Sequence, residues 1–398
     1  MEMVPEATAG GSEAGPSTGS RNPGIDLLRG LSIVLVVMHH VGLRIPLRQG
    51  ALSAFLPKWV LDALVYNGTE AVFVFFVISG FLITGNSLAR WGRLPAMDAR
   101  AFYVRRAARI LPCLLVLVAV LSLLHLAGAR DFVIHRGGQT LPRTILSALG
   151  LHLNWYEGQT GYLPGNWDVL WSLSIEEVFY LGFPMLCLGL RREKALVPVL
   201  ALLALSLPLT RAALAGQPVW QEKAYLPGMA AIAAGVLGAL LGALLGARYH
   251  LRGRVLGLAR GIGAAGLVAV LCFEDRLWPR LGNGTLLLLT GAVVLLLLSF
   301  QRQGGSTGSR PFAATGWLRS FGRLSYEVYL THMFIVWPVV RAFKAWGGNL
   351  RWGFLWYLPA LALSWALGWL VARYLSIPSE RWLRGAFSKV RLALATQA

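Results

Sequence analysis

The sequence predicts an all-α fold: a polytopic transmembrane helical bundle of about ten spans with both termini cytoplasmic. Three observations lead there. Of 398 residues, 56% are hydrophobic and 14% charged, whereas soluble globular chains carry about 45–50% apolar and about 25% charged residues. Mean hydropathy is +0.58. Ten apolar runs also reach the roughly 20 residues that a helix needs to cross about 30 Å of hydrocarbon.

In chain order, residues 1–23 are rich in Gly, Ser, Pro and Glu and are expected to be a disordered tail. They lack the basic segment and adjoining apolar stretch of a cleaved signal. A membrane domain then covers 24–378, with spans at 26–44, 65–86, 108–128, 168–190, 195–215, 225–247, 255–273, 284–300, 321–341 and 353–376. The run 144–155 falls short of a span and is expected to be re-entrant or interfacial, within the long connection 129–167. Residues 379–398 make a short cytoplasmic tail.

Charge sets the orientation. The chain has 37 Lys+Arg against 18 Asp+Glu, a net +19. With ten spans, 24 of the basic residues fall on the side of the termini and 13 on the other, so the termini are assigned to the cytoplasm. The excess is therefore mostly topology, and no nucleic-acid partner is implied. Cys113, Cys187 and Cys272 lie far apart inside apolar runs, which suggests neither a disulfide framework nor a metal site.

Ionisable groups inside spans are costly unless they are paired or line a cavity, so each is a functional candidate. In span one, Arg29 precedes His40 by eleven residues, roughly 16 Å along the axis and close to three turns, so the two share a face; His39 lies about 100° round. Glu176 and Glu177 sit roughly 13 Å into span four from the outer side. His332 lies near mid-depth in span nine. Two histidines and a carboxylate pair are thus expected at one level. Ser79 and Gly80 in span two permit close approach of a helix or ligand chain. Arg105, Arg106 and Arg109 crowd the cytoplasmic mouth of span three, where guanidinium forks suit phosphate. Two classes fit this description: a transporter or proton relay using His and Glu as a charge path, and a transferase holding a phosphorylated donor with His as general base.

Five ordered blocks carry a resemblance: Arg29 with His40; FFVISGFLI at 75–83; Arg106 with Arg109; WSLSIEEVFY at 171–180; and GRLSYEVYLTH at 322–332. Together they resemble the acyltransferase 3 family of integral-membrane O-acyltransferases, over about residues 24–378. The resemblance implies transfer of an acyl group, commonly acetyl, from cytoplasmic acyl-CoA to a hydroxyl of a sugar-containing acceptor, such as a cell-envelope glycan or a macrolide-type glycoside. It implies no tightly bound cofactor or metal, acyl-CoA being the donor substrate, and a location in the cytoplasmic membrane. It makes His40 the essential histidine, served by Glu176 or Glu177. Arg29 is its partner on the helix, Arg106 and Arg109 anchor CoA phosphates, and Ser79, Gly80 and Phe81 line the donor path. Tyr326 and His332 are supporting positions. A glycan exporter or flippase is the alternative.

Two departures stand out. Many family members carry a fused esterase-like domain, but here only about 20 residues follow the last span, so the acceptor is expected to be handled by the bundle or by another protein. Ile377 stands where the family often has Glu before Pro378, and Glu380 is the nearest acidic substitute. In loop 129–167, Trp155, Tyr156, Tyr162 and Trp167 are candidates to stack on sugar rings.

Overall fold

The computed structural model describes residues 22–248, 253–301 and 313–395. The expected N-terminal tail lies outside these residues up to position 21. Every regular element among them is helical. The first group is α1 (Pro23–Gly42), α2 (Lys58–Val65), α3 (Gly68–Trp91) and α4 (Ala99–Leu126). Short pieces follow: α5 (Leu141–Leu149), α6 (Leu153–Thr160) and α7 (Gly165–Asp168). The middle of the chain holds α8 (Trp171–Leu190), α9 (Glu193–Leu205), α10 (Leu207–Ala212), α11 (Pro218–Lys223), α12 (Tyr225–Arg248), α13 (Gly253–Leu281) and α14 (Gly284–Gln301). Last come α15 (Gly316–Arg323), α16 (Ser325–Thr331), α17 (Met333–Ala345), α18 (Tyr357–Val371) and α19 (Ile377–Ala395).

Among the described residues, nine helical runs are long and apolar enough to cross a membrane, the last being Leu350–Phe387. The chain is a multi-pass membrane protein. The ninth expected span, 321–341, is not one continuous helix. It is built as α15, α16 and α17, broken at Leu324 and His332. These three pieces run alongside α1 in the same direction: Arg29 bonds Ser325, His40 meets His332, and Val41 and Ile45 share an apolar cluster with Val336 and Val340. The run 144–155 resolves into α5 and the first half of α6, both too short to span. The segment expected as a tail after 378 is helical through Ala395.

Local chemistry starts α1 cleanly. Asn22 accepts the amide hydrogens of Gly24 and Ile25 at 3.0 and 3.4 Å, with Pro23 in the first turn. The Asn22 amide donates to the Phe300 carbonyl at 2.7 Å, tying this end to α14. Small residues then bring backbones together. A Cβ on Gly80 would overlap the carbonyl oxygen of Ile232, and one on Gly235 would overlap that of Val77. Helices α3 and α12 therefore touch along their main chains, where side-chain bulk would hold them apart. Gly322 does the same for α15 against Asp26 of α1.

Candidate functional site

Among the described residues, two adjoining cavities lie within the bundle. The larger, about 960 Å³, is lined by six arginines: Arg29, Arg90, Arg105, Arg106, Arg109 and Arg384. Its inner wall carries Ser79, Ser172, Glu176, Tyr180, Tyr326 and Tyr329. The smaller, about 40 Å³, is lined by His39, His40, Thr69, Asp168, Trp171 and Glu222 among others. Val72 and Tyr329 line both, so the two are separated by one layer of side chains. Tyr329 is steadied in that partition by a 2.7 Å hydrogen bond between its hydroxyl and Ser172.

The arginines of the large cavity are individually seated. Arg29 Nε and Nη2 donate to Ser325 Oγ at 3.0 and 2.8 Å. Arg106 stacks 3.7 Å above the Tyr180 ring and lies 3.6 Å from Glu177. Arg109 lies between Glu380, at 3.3 Å, and the buried Glu327, at 3.7 Å. Glu327 also accepts from Ser376 at 2.7 Å, and Ser376 closes a π-helical turn, Ala372–Ser376, leading into α19. Glu380 thus supplies one of the two negative charges beside Arg109 from a position three residues beyond Ile377, and it pairs with Arg384 at 2.5 Å as well. Arg105 lies over the Trp91 ring at 5.1 Å.

The residues singled out in the sequence divide between the cavities. Arg29, Ser79, Arg106, Arg109, Glu176 and Tyr326 line the large one. Ser79 hydrogen-bonds Tyr180. Gly80 and Phe81 do not line it: about 100° of turn per residue carries them toward α12, where Gly80 meets Ile232 and Phe81 packs beside Gly235 and Gly238. Glu177 belongs to Arg106. The histidines lie apart from both glutamates. His40 is in the small cavity, with its ring centroid 5.4 Å from His39 and 5.1 Å from His332.

Backbone carbonyls place the protons of two of these rings. Carbonyl oxygens only accept, so His39 Nδ1 donates to Val65 O at 2.9 Å and His332 Nδ1 to Tyr329 O at 2.8 Å. The Nε2 of each is therefore the acceptor in the neutral ring. For His332 that atom is buried and has no hydrogen-bond partner among the described residues. Two residues missed in the sequence belong to this region. Lys223, fully buried, donates to Glu157 at 2.9 Å and also pairs with Asp168. A lysine is unusual in this arginine-rich chain, with five among 37 basic residues, and that scarcity was the available signal. Of the loop aromatics, Trp167 is fully buried and Tyr162 donates to Glu222 at 3.0 Å, while Trp155 is exposed and meets Trp220 edge-on.

Comparison with known proteins supplies the family. A family model described as an acyltransferase domain matches residues 22–395. A Staphylococcus aureus (strain COL) protein that carries an O-acetyltransferase name is 29% identical over 176 residues, which is 42% of this chain and 25% of that protein. The O-acetyltransferase OatA of S. aureus (strain NCTC 8325) is 28% identical over 174 residues, 41% of this chain and 24% of its own. The match thus spans about a quarter of the length of these curated relatives. No solved structure matches. With nearly its whole length covered, the chain belongs to the acyltransferase 3 family of integral-membrane O-acyltransferases.

Proposed function

We propose that the protein moves an acyl group, acetyl in the first instance, from cytoplasmic acyl-CoA to a hydroxyl of a sugar-containing acceptor. The observation that carries this reading is the partition: a cavity with six arginines shares Val72 and Tyr329 with a cavity holding His39 and His40. At about 960 Å³ the large cavity is near the top of the usual ligand range of about 300–1,000 Å³. Its guanidinium groups suit the phosphates of CoA, and Glu176 with Ser79 and Tyr180 supplies polar groups deeper in. The donor's thioester would lie at the Tyr329 partition, with its phosphates toward Arg105, Arg106 and Arg109.

In this scheme His40 is the general base. An acceptor oxygen attacks the thioester carbonyl carbon while its proton passes to His40. Collapse of the tetrahedral intermediate breaks the C–S bond, and the CoA sulfur leaves with that proton returned to it. His332 supports the imidazole from the facing helix. The names of the S. aureus relatives favour acetyl as the group and oxygen as the acceptor atom. The charge bias of the connections favours the cytoplasmic membrane, with the arginine cavity facing the compartment that holds acyl-CoA.

The test is purified protein in nanodiscs with labelled acetyl-CoA and a panel of methyl glycosides. Release of CoA that depends on an added glycoside, with label recovered on that glycoside, is expected. Movement of a glycoside across a sealed vesicle without consumption of acetyl-CoA would contradict it.

A further inference from the structure

The mechanism above gives His40 a proton and hence a positive charge, so the carboxylate that faces it matters. Depth along the helices nominated Glu176 and Glu177, yet Glu176 lines the arginine cavity and Glu177 lies 3.6 Å from Arg106. Two other carboxylates share the histidines' cavity, Asp168 and Glu222, and Glu222 is engaged by the Tyr162 hydroxyl at 3.0 Å. We propose that Asp168, held by the buried Lys223, is the positioning carboxylate of the His39–His40 pair. The inference rests on the acyl-transfer reading and deepens it.

The local charges support this assignment. Lys223 Nζ is shared between Glu157 Oε2, at 2.9 Å, and Asp168 Oδ1. The other Glu157 oxygen accepts the Leu163 amide at 2.9 Å, and Asn154 caps the Lys223 carbonyl at 3.0 Å. The ammonium is therefore locked in place, and so is the Asp168 oxygen that it holds. Burial and the neighbouring Asp168 push the Glu157 carboxyl well above its ordinary range, so Asp168 is the ionised partner of the ammonium, and it is the member of the trio that borders the histidine cavity. Within a protein such a charge acts more strongly than in water.

Other groups facing the pair do not offset it evenly. The charged groups around the pair are the cations Arg44 and Lys223 and the carboxylates Asp168, which acts on His39, and Glu222 on the cavity wall; His332 and Tyr329 are the remaining polar neighbours. Asp168 does not touch the reacting atoms. Its function is to favour the imidazolium that forms when the hydroxyl proton is taken. The cavity volume of about 40 Å³ is little more than one water's share of liquid volume. It admits a hydroxyl arm and not a ring, so the hydroxyl would approach the histidines under the Asp168 charge with the rest of the acceptor outside.

The pH dependence of the His39 and His40 imidazole signals, followed by NMR of isotope-labelled histidine in nanodiscs, tests this without requiring turnover. In Asp168→Asn the midpoint should fall by about one pH unit, since loss of a nearby opposite charge removes about that much support for the cation. Asp168→Glu should restore the wild-type midpoint, and Glu176→Gln and Glu177→Gln should leave it in place. Glu157→Gln, which keeps the Lys223–Asp168 pair and replaces a carboxyl that burial holds protonated, should leave the midpoint in place. An unmoved midpoint in Asp168→Asn, or an equal shift in Glu176→Gln or Glu157→Gln, would overturn the proposal. If Asp168→Asn does not fold, Asp168→Asn/Lys223→Met is read against Lys223→Met, and an equal midpoint in the two overturns the proposal. A shifted midpoint in a protein whose wild type releases no CoA would overturn the acyl-transfer reading and leave this assignment standing.

Discussion

His332 and His40 stand ring to ring at 5.1 Å, and the proton of His332 is placed by the backbone, on Nδ1 toward the Tyr329 carbonyl. This relationship arises where span nine breaks, between α16 and α17, and it leaves Nε2 in the middle of the bundle without a hydrogen-bond partner among the described residues. A side chain that only filled space would not need its tautomer fixed.

Substitution at His332 separates those roles. Asn keeps a donor near Nδ1 and loses the acceptor at Nε2, whereas Phe loses both. We expect His332→Asn to lower kcat about 10- to 100-fold, the equivalent of one hydrogen bond to a charged group. The acetyl-CoA KM should stay within twofold. Steady-state kinetics on the purified variant check this, and a normal kcat would make His332 a packing residue.

Arg106 and Arg109 should differ although both line the same cavity. Arg109 neutralises the buried Glu327, whereas Arg106 faces Glu177 and stacks on Tyr180. Both Arg106→Met and Arg109→Met should raise the acetyl-CoA KM by tenfold or more. Only Arg109→Met should also lose stability, by about 3 kcal/mol for a stranded buried charge. The double variant Arg109→Met/Glu327→Gln should recover most of that loss in thermal unfolding while keeping the raised KM.

The clamp at Lys223 is a stability feature in its own right. Lys223→Met leaves Glu157 and Asp168 facing each other without a cation, at an expected cost of about 3–5 kcal/mol. Adding Glu157→Gln should return part of it. A double-mutant cycle read by detergent-solubilised unfolding gives the coupling directly.

Gly80 should behave as a packing residue. A side chain there meets the Ile232 carbonyl, which cannot move without shifting α12. Gly80→Val is expected to cost about 1–3 kcal/mol by overpacking, while Ser79→Ala, on the cavity wall, should alter donor kinetics with little loss of stability. Equal effects on donor KM from both would contradict this division.

Much of the fold was legible in the sequence because spans are set by apolar length, a property of consecutive residues. Depth was legible too: a fixed rise per residue put His40 and His332 at one level, and their rings do meet. Azimuth was not. Which way Glu176 faces depends on how α8 is rotated in the bundle, and that rotation follows from neighbours that no local pattern records. Gly80 and Phe81, assigned to the donor path by the resemblance, face α12 through the same unrecorded rotation. Asp168 and Lys223 were passed over because each sits at a span end, where a charge is ordinary until three-dimensional packing buries it. The break at His332 was hidden because the composition of 321–341 is uniformly that of a span.

The central claim is that His40 is the base for acyl transfer. The direct measurement is CoA release from labelled acetyl-CoA by His40→Ala, purified in nanodiscs beside the wild type with the same methyl glycoside acceptor. General-base catalysis contributes about 10²–10⁴-fold, so the account predicts a loss in that range with unchanged thermal unfolding and unchanged acetyl-CoA binding. Near-normal transfer by a folded His40→Ala protein would contradict it.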